Sequence, residues 1–147
     1  MNRKKNLLFC TVLVIAAQIL SPVVAAETFI YSGGCFWCTE ADSEKLDGVS
    51  EVISGFTGGT TPNPRYHIGE WGDHREAAQV IYNPADVSFE DLVRHVYETI
   101  DYEDNKGQFC DRGESYKPVI FTSNEEQNDE AKASKEIISK HFIHFCV

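Results

Sequence analysis

A two-layer α+β fold is what this chain of 147 residues predicts, and three observations carry the prediction. Short apolar runs at 28–32, 49–56, 77–82 and 118–122 read as strands, and segments of helical periodicity separate or follow them. Two long polar stretches, Thr60 to Asp73 and Asp101 to Tyr116, interrupt the pattern without the composition of a linker. No internal repeat or low-complexity segment divides the chain. The resulting β-α-β-β-α-β order, closed by a last helix, is the split β-α-β pattern of ferredoxin-like sandwiches, with helices packed on a mixed sheet.

Arg3, Lys4 and Lys5 precede the apolar run Leu7 to Leu20, and Ser21, Pro22 and the small-residue exit Val24-Ala25-Ala26 follow it. This reads as a cleavable secretory signal over residues 1–26, because the apolar run is shorter than the ~20 residues that span a bilayer. One domain, Glu27 to Val147, is then the expected content of the exported chain, with no stable membrane insertion after cleavage.

Thr28 to Ser32 is the first strand, and a helix is expected from Cys35 to about Leu46, ending near Asp47-Gly48. Val49 to Phe56 would suit either state by spacing; Gly55 and the need of the preceding helix for a returning strand decide for a strand. Thr60 to Asp73, with two prolines and two glycines, is a long surface loop. Ala77 to Tyr82 is a strand stopped by Asn83-Pro84. Ser88 opens a helix with Asp91 as its capping-box partner and Phe89, Leu92, Val93, Val96 and Ile100 on one face. Pro118 to Thr122 is the last strand. The final helix, Ser123 to about Phe142, buries Ala131, Ile138 and Phe142 and leaves Glu125, Glu126, Asp129 and Glu130 on its solvated first turns.

The leader carries three of the 13 basic residues and no acid, which leaves ten Lys and Arg against 23 Asp and Glu, a formal charge of −13. Such a surface repels phosphate backbones and carries no basic stripe, so nucleic acid is not an expected partner. Cys10 leaves with the leader, and Cys35, Cys38, Cys110 and Cys146 remain. Four cysteines are too few to staple this length of chain in place of an apolar core.

Gly33-Gly-Cys-Phe-Trp-Cys38 places two cysteines three apart, behind a glycine pair and at a helix start. Unpaired N–H groups and the positive dipole end at that start stabilise a thiolate, the nucleophilic form of the side chain. A zinc site would need two further ligands at matching spacing, and Cys110, His67, His74 and Cys146 do not supply it. Redox or nucleophilic use of the pair is the expectation, ahead of a structural disulfide.

Four motifs, Gly34-Cys-Phe-Trp-Cys-Thr-Glu40, Gly58-Gly-Thr-Thr-Pro-Asn-Pro-Arg-Tyr66, Gly72-Asp-His-Arg-Glu-Ala77 and Phe109-Cys-Asp-Arg-Gly-Glu-Ser-Tyr116, closely resemble those of the A-type peptide methionine sulfoxide reductases, in the same order. The resemblance runs from about Thr28 to Phe142, and the family's α+β roll agrees with the pattern above. It implies reduction of the S epimer of methionine sulfoxide, free or in oxidised proteins, with no metal or bound organic cofactor and with a thioredoxin-like protein as electron donor. It implies Cys35 as nucleophile and Glu76 as proton donor. It also implies Phe36 and Trp37 as the aromatic pocket for the methyl group, and Tyr66, Asp111 and Tyr116 around the oxygen and the pocket. Glu40, five residues after Cys35, is the rival acid, with an ordinary helix carboxylate the better reading; His74 is given no catalytic role.

A second thiol must condense with the Cys35 sulfenic acid, and Cys110 is preferred slightly to Cys38. Similar proteins continue for several tens of residues beyond the last helix, so the ending Phe142-Ile-His-Phe-Cys-Val147 reads as a truncation, with Cys146 a stray thiol. Export implies the bacterial periplasm as the compartment. Two other classes compete: a thioredoxin-like disulfide oxidoreductase, which would not need Glu76, and an inactive truncated chain serving as a binding module, which would survive alkylation of every cysteine.

Overall fold

The computed structural model describes residues 24–67 and 71–142. The expected leader lies outside them except for Val24 to Ala26, and so do Cys10, Cys146 and the last five residues. Among the described residues no helix is long and apolar enough to cross a membrane.

Strand β1 (Glu27–Ser32) leads into helix α1 (Phe36–Ser43), followed by β2 (Val49–Thr57), β3 (Arg75–Tyr82) and α2 (Phe89–Thr99). A two-residue pair, β4 (Gly107–Gln108) and β5 (Asp111–Arg112), precedes a single 3-10 turn at Glu114–Tyr116, then β6 (Val119–Phe121) and α3 (Glu125–Phe142). The main sheet has the order β2-β3-β1-β6, and each neighbouring pair is antiparallel. The expected mixed sheet is therefore corrected to an antiparallel one. Strands joined through α1 do run parallel, but β3 folds back between them and takes the ladder hydrogen bonds of both.

Alternation along the strands sends Phe29, Tyr31, Val52, Ala78, Val80 and Tyr82 to one face, where they form the core with Phe89, Leu92, Val93 and Val96 of α2. Phe29 stacks on Tyr31 at 5.4 Å and meets Phe89 edge-on at 5.2 Å. Helix α3 closes the layer with Gln127, Ala131, Ser134 and Ile138, four positions on one helical face. Its stripe is more polar than expected: Gln127 and Ser134 are the buried members. The buried Gln127 amide accepts the Ser123 N–H and donates to the Thr28 carbonyl, which is why it tolerates the interior.

Ser88 caps α2 as the sequence predicts. Its hydroxyl accepts the Asp91 N–H at 3.1 Å while the Asp91 carboxylate accepts the Ser88 N–H at 3.2 Å. Ser88→Ala is expected to cost about 1 kcal/mol, read as a lower urea midpoint at unchanged slope.

Two expectations were too coarse. Helix α1 ends at Ser43, five residues past the C-x-x-C pair, rather than near Leu46. The stretch Asp101 to Tyr116 is not plain loop: it holds β4, β5 and the 3-10 turn. Two-residue strands and a single 3-10 turn are too short to leave a period in sequence.

Candidate active site

Cys35 is the N-cap residue of α1, and its side chain makes no capping hydrogen bond, so the half-buried sulfur is left unused by the fold at a helix N-terminus. Gly34 makes this approach work. Its φ is +102°, and a Cβ there would lie 2.9 Å from Gln108 Cβ. Gln108 is buried and holds its own loop, accepting the Asp101 N–H at 2.7 Å and donating to the Asp101 carbonyl at 2.7 Å and the Gly107 carbonyl at 2.8 Å. The β4–β5 hairpin thus closes directly over the turn that carries Cys35.

Glu76, on β3, is only 3% exposed, and its Oε2 accepts the Phe36 N–H at 3.0 Å. The peptide that supplies that N–H begins at Cys35, so carboxyl and thiol share one peptide unit as their bridge. Burial raises the Glu76 pKa; the Phe36 N–H opposes this, and the charge of Asp111 adds to it. The strand starts two residues earlier than expected because Phe56↔Glu76 and Thr57↔Arg75 pairing gives these charged residues a ladder position.

Cys38 is exposed and faces the same side of the helix start. Desolvation raises its pKa, and the charge of Cys35, a hydrogen bond with it, and then Asp111 and Asp42 act in the same direction. The Cys38 thiol is thereby pushed toward its protonated form, which can donate to the Cys35 sulfur. A cavity of about 180 Å³ above the pair is lined by Gly34, Cys35, Cys38, Asp42, Phe109 and Asp111, among others. Cys110 is not among its lining residues: it sits on the exposed turn between β4 and β5, while both its neighbours face the cavity. The structure therefore brings Cys38, not Cys110, to Cys35 in the reduced chain.

The 3-10 turn is docked on the start of β3. Ser115 donates to the His74 carbonyl at 3.0 Å, and the Arg75 guanidinium donates to the Glu114 carbonyl. This sets half-buried Tyr116 beside the carboxyl: burial raises its pKa, and Glu76, Asp111, Cys35 and Tyr66 all add to the rise. Its phenol stays protonated and can donate.

Phe36 is buried, whereas Trp37 is 61% exposed and Tyr66 54%. The rings pack together: Tyr66 lies 5.7 Å from Phe36 and 5.4 Å from Trp37. Phe56 and Trp71, which the sequence reading did not assign to the site, extend the cluster, with Phe56 5.5 Å from Phe36 and stacked on Trp71 at 6.0 Å. The signal for Trp71 was its place directly before the Gly72 motif. An exposed aromatic shelf beside a thiol is an apolar surface suited to a thioether-like group.

Tyr66 belongs to a loop whose ends are tied. The Asp73 carboxylate accepts the N–H groups and hydroxyls of Thr60 and Thr61 at 2.7–2.9 Å. The Thr61 hydroxyl first, then the two N–H groups, hold its pKa well below the usual carboxylate range. His74 completes the neck. Its Nδ1 accepts the Gly59 N–H at 3.3 Å, which leaves the ring proton on Nε2, 2.9 Å from the Thr61 carbonyl. The histidine is structural, as expected. Glu40, the rival acid, points instead to Ser54 on β2.

A larger cavity, about 500 Å³, lies between β1, α2 and α3 and is lined by Glu27, Glu90, Glu126 and Glu130 among others; it contains no thiol. Chemistry rather than volume therefore selects the Cys35 site.

A family model described as "Peptide methionine sulfoxide reductase" matches residues 27–145. The chain is 46% identical over 112 residues to a peptide methionine sulfoxide reductase MsrA of Streptococcus agalactiae serotype Ia, covering 75% of this chain and 66% of that one. It is 45% identical over 119 residues to MsrA 2 of Rhizobium meliloti, covering 80% and 60%. The fold is similar to methionine sulfoxide reductase A of Corynebacterium diphtheriae, with a TM-score of 0.71 and 31% identity over 80% of this chain and 56% of that one. The chain thus spans slightly under two thirds of the length of these relatives, or less.

Proposed function

Since this chain belongs to the peptide methionine sulfoxide reductase family, we propose that it reduces the S epimer of methionine sulfoxide, free or in proteins, at Cys35. The observation that carries the reading is the buried Glu76 carboxyl, kept protonatable by burial and held at the Phe36 N–H next to Cys35. Reduction of a sulfoxide needs a soft nucleophile at sulfur and a proton for the oxygen, and this pair supplies both.

In the proposed sequence the Cys35 thiolate attacks the sulfoxide sulfur while Glu76 protonates the oxygen. The new S–S bond then breaks as the hydroxyl passes from the substrate sulfur to the Cys35 sulfur, so the substrate S–O bond is exchanged for a Cys35 S–O bond, methionine leaves, and Cys35 is left as sulfenic acid. A second thiol then displaces water to give a disulfide, so two thiols are consumed per methionine. Phe36 and Trp37 receive the methyl group, and the Tyr116 phenol donates to the developing oxyanion, with Tyr66 and Asp111 beside it. The contact of Cys38 with Cys35 supports Cys38 as the resolving thiol ahead of Cys110, the reverse of the order preferred from sequence. A thioredoxin-like dithiol resets the disulfide. The basic start and apolar run of the leader support export to the bacterial periplasm, where that donor would have to act.

The test is a single turnover without added reductant: prereduced Glu27–Val147 is mixed with a peptide containing S-methionine sulfoxide. About one methionine per chain with two thiols lost is expected, and mass mapping should then find a Cys35–Cys38 link. No methionine from a folded chain overturns the reading.

A further inference from the structure

Phe36 is tied to two neighbouring strands through its own backbone. Its N–H goes to Glu76 of β3, and its carbonyl accepts the Ser54 hydroxyl of β2 at 3.1 Å. Ser54 pairs with Ala78 and Phe56 with Glu76, so the two anchors lie two residues apart along one ladder. Ser54 Oγ also touches Glu40 Oε2, from the next turn of α1. The hydroxyl has one proton for two acceptors on the same helix, and both contacts pull the first turn of α1 onto β2. The Phe36 carbonyl also accepts the Thr39 hydroxyl at 3.0 Å within α1, so the Ser54 hydroxyl is what ties that carbonyl to β2.

We propose that Ser54 is the positioning residue that clamps Phe36 to β2 and so keeps the Phe36 N–H on the Glu76 carboxyl, with Glu40 the rival acceptor for its one proton. Neither side chain touches the reacting atoms. The clamp governs how readily Glu76 gives up its proton, because the N–H favours the charged form against burial. The other titratable groups facing Glu76 are Cys35, Asp111 and Tyr116, and none of them contacts Ser54 among the hydrogen bonds described. The assignment of Glu76 as the proton donor rests on the reductase reading; the clamp itself rests on geometry alone.

The experiment reads Glu76 directly. Its carboxyl infrared band is assigned by its loss in Glu76→Gln, and its titration midpoint is compared in the wild-type chain, Ser54→Ala, Ser54→Thr and Glu40→Ala. Loss of a hydrogen bond to a charged group is worth about one to two pH units, so loosening it should raise the midpoint by about half a unit or more in Ser54→Ala. Glu40→Ala, which leaves the single Ser54 proton to the Phe36 carbonyl, should lower it slightly, and Ser54→Thr, which keeps the hydroxyl, should restore it. An unchanged midpoint in folded Ser54→Ala overturns the proposal. Should that variant not fold, a midpoint in Glu40→Ala that fails to fall does so instead. No turnover is required: a wild-type chain that forms no methionine but shows the shift sinks the reductase reading and leaves the clamp standing. An active wild-type chain with unchanged midpoints sinks the clamp alone.

Discussion

Cys35→Ser is expected to lower the single-turnover rate of methionine formation on the order of 10⁴-fold or more, as loss of a nucleophile does. Serine offers a hard, un-ionised oxygen that neither attacks a sulfoxide sulfur nor accepts its oxygen. Cys38 cannot substitute, because it is kept protonated and stands one turn further along the helix. The fold should not suffer. Cys35 occupies the N-cap of α1 without capping it, and serine is a preferred N-cap residue, so the urea midpoint should hold or rise slightly. Activity lost at undiminished stability is the signature of a reacting group; activity retained would remove Cys35 from the chemistry.

Glu76→Gln should slow the same step by about 10²- to 10⁴-fold, the range for a positioned general acid. Glutamine fills the space and still accepts the Phe36 N–H, but carries no transferable proton. As a donor Glu76 acts in its protonated form, so wild-type turnover should fall as pH rises through its raised pKa, and the variant should lack that limb. Stability follows from the same shift. Between the ordinary glutamate pKa and the raised one, the folded state binds more protons than the unfolded state, so stability declines as pH rises across that window. Glu76→Gln removes this decline, and the variant should gain in stability over wild type above the window while losing activity. A variant that still forms methionine as fast as wild type would remove Glu76 as the proton donor.

Local pattern carried most of the fold. The alternation of Phe29 and Tyr31, the capping box of α2 and the glycine stops place the four strands of the main sheet and the three helices, because each depends on neighbours within a few residues. Pairing partners were less legible, and the antiparallel sheet, with β3 inserted between β2 and β1, is a property of strand order. The β4–β5 hairpin was missed for its shortness, and with it the reason Cys110 stands outward while Phe109 and Asp111 face the cavity.

At the site, the C-x-x-C pair behind two glycines made a reactive thiol legible, and only the resemblance in four ordered motifs made Glu76 and the aromatic residues legible as candidates. Their arrangement was not. Phe36 and Glu76 are 40 positions apart, Phe36 and Ser54 are 18, and what brings both to the backbone of one residue is the β2–β3 register. Phe56 joins the aromatic cluster through the same register, and Trp71 through the loop neck tied by Asp73. Chemistry is written residue by residue and so can be read along the chain. Distance between remote segments is set by which backbone ladders close, and a one-residue slip in that pairing would turn Glu76 and Ser54 to the opposite face of the sheet.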